Sequence, residues 1–152
     1  MRGVSHLSYR ILVVDDEPDI VGAAQMILEG EGYYVVSASN GEEALRKAVA
    51  ETPDIIFLDI AMPGKSGLDV CRMLKTRTGT AHIPVIMFTA FGASIDRQLA
   101  DEAGADGYFT KPFTAKALIM EAKNALNLSK ERSQRTKNKP YANFLGSNIE
   151  LN

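Results

Sequence analysis

Carboxylates, a hydroxyl and an amine stand at the ends of apolar runs in this chain. Ile11-Leu12-Val13-Val14 runs into Asp15-Asp16-Glu17, Ile55-Ile56-Phe57-Leu58 into Asp59, Val85-Ile86-Met87-Phe88 into Thr89, and Tyr108-Phe109-Thr110 into Lys111-Pro112. Continuous apolar runs rich in β-branched and aromatic residues read as strands buried on both faces. Met62-Pro63-Gly64 cannot prolong the strand before it, because Pro lacks the N–H donor and Gly has no side chain to pack. Asp59 is thus expected to close a core strand at the mouth of a loop, the edge where open parallel α/β sheets bind ligands.

Three carboxylates in one crevice repel. At about 4.5 Å and an effective dielectric of about 20, each pair costs roughly 4 kcal/mol. Protonation, a cation, or both must compensate. An oxygen-only donor set with no His or Cys beside it suits a hard divalent ion, and Mg²⁺ fits one or two carboxylates plus phosphate oxygens. A carboxylate can also act as a nucleophile and become an aspartyl phosphate. The transferred group then needs positive charge and donors around it; Lys111 offers the charge and Thr89 a hydroxyl. Taken singly, each residue has a plainer reading. Asp15, Asp16 and Glu17 could be caps and solvated turn charges, Thr89 a strand residue, Lys111 a solvated end. Asp59 could cap a helix, although Ser66 is the nearer cap. Four strand ends with matching chemistry on one edge outweigh those readings.

The elements between these residues must place them together. Arg10–Val14, Tyr34–Ala38, Ile55–Leu58, Pro84–Phe88 and Gly107–Thr110 read as strands. Helices are expected between and after them. The first starts at Pro18, whose missing N–H is harmless there, and presents Ile20, Val21, Ala24, Ile27 and Leu28 before Gly30 and Gly32 stop it. Asn40 caps Gly41–Glu51, with Ala44, Leu45, Ala48 and Val49 on one face. Gly67–Lys75 turns Leu68, Cys71 and Leu74 inward. Ser94–Ala103 relies on Ile95, Leu99 and Ala103, and Ala115–Leu128 on Leu118, Ile119, Ala122 and Leu126. Five strands alternating with five helices argue for a flavodoxin-like, doubly wound α/β fold with a parallel sheet of order 2-1-3-4-5. The switch point of that order falls between the strands ending in Asp15 and Asp59.

Composition narrows the class. The 152 residues are 45% hydrophobic and 24% charged, with a net charge of -2, the make-up of one ordinary globular domain. A lone cysteine, Cys71, rules out an internal disulfide and reads as a buried structural thiol. No apolar run approaches a membrane span, and the start lacks a signal-peptide core, so the cytoplasm is the expected compartment. His6 and His82 are isolated and read as surface residues. Residues 1–8 read as a lead-in, 9–128 as the domain and 129–152 as a flexible basic linker or tail, or a frayed helix extension. In Ser129–Pro140, five basic residues face one acidic residue, a local +4, so the rest of the chain carries -6. Nucleic acid is conceivable for that arm, but a solvated linker is the expectation.

Ile11–Pro18, Leu58–Gly64, Phe88-Thr89-Ala90 and Tyr108–Phe113 together resemble the receiver domain of two-component response regulators, the chemotaxis-regulator-like family. The likeness covers Tyr9 to Leu128 and holds every motif in order. It implies that Asp59 accepts a phosphoryl group from a histidine kinase or phosphotransfer protein. Asp15 and Asp16 would form the acidic pocket, with Mg²⁺ on Asp16, Asp59 and the Ala61 carbonyl. Lys111 would pair with the phosphoryl oxygens, Thr89 would shift toward them, and Tyr108 would turn inward. The Lys111–Pro112 bond would be cis. The surface of the fourth helix, fifth strand and fifth helix would then change for a downstream protein, an output domain or a second copy of the chain. Such a protein is a switch rather than a conventional enzyme, although it catalyses its own phosphoryl transfer and hydrolysis. Ala61 and Phe91 lie two residues beyond Asp59 and Thr89, and are expected to tune hydrolysis. A hydrolase of the haloacid-dehalogenase type would want a second Asp where Ala61 stands. A receiver-like binding domain without phosphorylation would not need the intact Asp15, Asp16, Asp59, Thr89 and Lys111 set.

Overall fold

The computed structural model describes residues 8–90 and 94–138. Strands β1 (Arg10–Val14), β2 (Tyr34–Ala38), β3 (Ile55–Asp59), β4 (Val85–Ala90) and β5 (Gly107–Lys111) form one sheet. Its order is β2-β1-β3-β4-β5, and every neighbouring pair is parallel. Helices α1 (Pro18–Gly30), α2 (Gly41–Glu51), α3 (Gly67–Thr76), α4 (Ser94–Glu102) and α5 (Ala115–Asn138) connect and follow the strands. The expected fold class and strand order are those observed. His6, Phe91, most of the lead-in and the tail beyond Asn138 fall outside the described residues.

Alternation of side chains along each strand sends apolar residues to both faces. Leu12, Val14, Ile56, Leu58, Val85 and Met87 pack with α2, α3 and α4, whereas Ile11, Val13, Ile55, Phe57, Ile86 and Phe88 pack with α1 and α5. Cys71 is buried in the first layer, and its thiol lies 3.6 Å from the Ala103 carbonyl oxygen. Burial pushes that thiol up to about 11, which leaves it protonated and inert. Phe57, Phe88, Phe109 and Phe113 form an aromatic cluster in the second layer, with Phe113 stacked 5.7 Å from Phe88. This cluster seats the turn after Lys111.

Local sequence explains the element ends. Asn40 Oδ1 accepts the Glu43 N–H at 2.9 Å and Ser66 Oγ accepts the Asp69 N–H at 3.3 Å, so both expected caps operate. Pro18 opens α1, and Gly32, at φ +94, takes the left-handed turn after it. Val49 differs from expectation. It is 60% exposed, and the buried side of α2 is formed by Gly41, Ala44, Leu45 and Ala48.

The last helix, expected to end at Leu128, continues to Asn138, so over its first ten residues the basic stretch is the helix extension rather than the flexible linker. Arg132 explains the difference. Its Nη2 donates to Asp106 Oδ1 at 2.6 Å and its Nη1 to the His82 carbonyl at 2.9 Å. Partners so remote in sequence leave no local periodic signal.

Candidate functional site

Parallel pairing brings the carboxyl ends of four strands to one edge. Val14 pairs with both Ala38 and Leu58, Asp59 with Phe88, Thr89 with Thr110, and Ala90 with Lys111. Asp15 therefore emerges one residue past Val14, and Thr89 one residue past the level of Asp59. Carboxylate oxygens of Asp15, Asp16 and Asp59 lie within 4.8 Å of one another. Asp15 and Asp59 are buried and Asp16 is exposed, so one member of the group faces water. All three belong to the expected acidic set.

Lys111 binds this cluster from the fifth strand. Its Nζ donates to Asp15 Oδ2 at 2.7 Å, and lies 3.4 Å from both Asp59 Oδ1 and Glu17 Oε1. Asp15 also accepts the Glu17 N–H at 3.0 Å, which fixes its carboxylate. Burial alone would lower the Lys111 ammonium. Its hydrogen bond to Asp15 and the charges of Asp59 and Asp15 outweigh burial, and hold it above its ordinary value. Asp59 goes the other way. Burial first, then the Asp15 charge, push its carboxyl up to about 7 despite the Lys111 ammonium. One cation thus fails to neutralise three carboxylates.

The cluster opens on a cavity of about 620 Å³ lined by Asp16, Glu17, Ile20, Asp59, Ala61, Lys111 and Pro112. Its donors are oxygen atoms, its wall includes the exposed Ala61, and its charge is unbalanced. That combination fits a hard divalent cation and an anionic substrate group. The Lys111–Pro112 bond is cis, as expected. Thr89 is 2% exposed at the end of β4. Tyr108 is partly buried against the α2–α3–α4 layer, and the Arg97 guanidinium carbon sits 5.2 Å from its ring centroid.

Sequence reasoning missed two contributors. Gly67 was read only as the start of a helix. A Cβ there would stand 1.9 Å from the Asp59 carbonyl oxygen, so only glycine lets α3 approach β3 this closely. Arg97 gave no signal, since it lies on an exposed helix face 11 residues before Tyr108. His82 is exposed, as expected for a surface residue.

Known proteins resemble this chain in sequence and fold. Residues 11–123 match the family model described as the response regulator receiver domain. The chain is 43% identical over 123 residues to the alkaline phosphatase synthesis transcriptional regulatory protein PhoP of Bacillus subtilis, covering 81% of this chain and 50% of that protein. It is 39% identical over 136 residues to the transcriptional regulatory protein ResD of the same organism, covering 90% and 55%. It therefore spans about half the length of these relatives. The chemotaxis protein CheY4 of Vibrio cholerae superposes with a TM-score of 0.75 at 28% identity, over 78% of this chain and 99% of that one. With its sheet order, acidic cluster and strand-end lysine, the chain belongs to the response regulator receiver domain family, whose function is phosphorylation-activated signalling.

Proposed function

We propose that Asp59 is the phosphoacceptor of this receiver. The observation that carries the reading is Lys111 Nζ at ion-pair distance from Asp59 and Asp15 within one open cavity. An oxygen of Asp59 forms a bond to phosphorus while the donor's nitrogen–phosphorus bond breaks. A histidine kinase or phosphotransfer protein supplies that donor. Lys111 balances the charge spread over the phosphoryl oxygens. Its alternative partner, Asp15, holds the ammonium at the rim in the meantime. Water later splits the oxygen–phosphorus bond and restores the carboxylate.

Asp16, Asp59 and the Ala61 carbonyl are assigned to Mg²⁺, with Asp15 completing the acidic pocket. When bound, the ion supplies the positive charge that three carboxylates and one ammonium lack. It also keeps Asp59 ionised, which its burial opposes.

The new phosphate is a dianion, and the nearest element able to respond is the β4 end. The Thr89 hydroxyl moves to a phosphate oxygen, and Tyr108 follows into the space vacated. The face formed by α4, β5 and α5 then meets a downstream protein, an output domain or a second copy. Among the described residues no helix is long and apolar enough to cross a membrane. The cytoplasm is the compartment we assign, and nucleic acid is not assigned as a partner of this segment alone.

Incubation with acetyl phosphate and Mg²⁺, read by intact mass, tests the assignment. A gain of one phosphoryl group that Asp59→Asn removes is expected. An unchanged mass, or labelling that survives the substitution, overturns it.

A further inference from the structure

A polar extension at the end of a packed helix is prone to fray, because most helical stability comes from packing. Ser129–Asn138 continues α5 with Ser, Lys, Glu, Arg, Gln, Thr and Asn only, so it has no apolar stripe for a core or a coiled coil. Something on the domain must hold it.

The holding site lies at the edge of the sheet opposite Asp59. Asp106 immediately precedes β5. Its Oδ2 accepts Lys75 Nζ at 2.7 Å and the Val85 N–H at 2.9 Å, and its Oδ1 is left facing α5, where it accepts Arg132 Nη2 at 2.6 Å. Lys75 also donates to the carbonyls of Ala81 and Ile83, so the loop before β4 is pinned by the same group. That loop in turn presents the His82 carbonyl to Arg132. Two residues earlier, Lys130 Nζ stands 5.5 Å from the Tyr9 ring centroid. Two acceptors fixed in advance thus meet the forked donor of a guanidinium, a match that lysine could make only in part.

We propose that this edge is a docking site for the chain's own C-terminal arm, residues 129–138, with Arg132 as the key. The arm is then a fixed lever rather than a tether. Its anchor is joined to the start of β4 through Val85 and to the start of β5 through Asp106. The other ends of those strands carry Thr89 and Lys111, so a shift of either strand is passed to the arm. That last consequence rests on the signalling role proposed above; the docking itself does not.

Hydrogen exchange of the full unphosphorylated chain, read by mass spectrometry, tests the docking without reference to Asp59. Wild type is expected to protect the amides of residues 129–136. Arg132→Met should speed their exchange at least about ten-fold, through loss of the bonds to Asp106 and the His82 carbonyl, and leave residues 118–126 unchanged. Arg132→Lys, which keeps the charge but not the fork, should fall between the two. Unprotected amides in wild type, no change in Arg132→Met, or equal loss at 118–126 would each overturn the proposal.

Discussion

Both ends of the sheet set an aspartate against a lysine, buried at Asp59 and partly buried at Asp106, yet they are built to opposite purposes. At the carboxyl edge, Asp15 and Asp59 share Lys111 with Asp16 beside them, and Asp59 is pushed up to about 7. At the amino edge, one carboxylate, Asp106, meets Lys75, Arg132 and the Val85 N–H. Burial there also acts to raise the carboxyl, but Arg132, Lys75 and the Val85 N–H outweigh it and hold Asp106 below its ordinary range. The difference lies chiefly in the count of partners. An over-supplied carboxylate is a structural joint. An under-supplied one is a site that waits for positive charge.

The contrast is sharpest in a pair of substitutions. Asp59→Asn should abolish phosphoryl uptake while raising the melting temperature of the metal-free protein, since it removes an uncompensated charge. Asp106→Asn should leave uptake intact and destabilise the fold by about 1–3 kcal/mol, as expected when partly buried charge-assisted hydrogen bonds are lost. Acetyl phosphate labelling and denaturant unfolding of both variants would read the two effects. Comparable stability losses in both would break the comparison.

Next in size is Lys111→Met. Losing the only lysine in contact with the acidic cluster among the described residues should slow labelling of Asp59 about 10²-fold, the scale of a lost charge stabiliser. Lys75→Met should not slow it. Gly67→Ala should destabilise by about 1–3 kcal/mol through overpacking against the Asp59 backbone, and should slow labelling as well. Gly22→Ala, where a Cβ meets nothing within 4 Å, should if anything stabilise α1.

The two edges give the pH dependence opposite signs. Asp59 binds its proton more tightly folded than unfolded, because its value is raised. Its contribution therefore favours the fold in acid, and is lost as pH rises from the ordinary carboxylate range through about 7. Asp106 is lowered, so its contribution is present above the ordinary carboxylate range and lost as pH falls through its folded value. Melting temperatures of metal-free protein should decline between about pH 4 and 7, and Asp59→Asn should flatten that decline.

The carboxyl edge was legible in the sequence because its chemistry sits where local patterns end. Apolar runs stop at Asp15, Asp59, Thr89 and Lys111, and a parallel sheet must bring such ends together. The amino edge was not legible. Asp106 lies between Gly104 and Gly107 and looks like a turn residue, Lys75 like a helix-end charge, and Arg132 like one charge in a basic run. Only the 26-residue span from Asp106 to Arg132, folded back by α5, makes them partners. The end of α5 was misplaced for the same reason. Val49 was misassigned because periodicity fixes a helix's face but not how wide a strip the sheet edge covers.

The titration of the Asp59 carboxyl carbon by NMR, with and without Mg²⁺, reaches the central claim most directly. The account predicts a midpoint near 7 in metal-free protein and a fall below the ordinary carboxylate range when Mg²⁺ is added, while Asp106 stays low in both. An ordinary midpoint for Asp59 that Mg²⁺ does not move would contradict it.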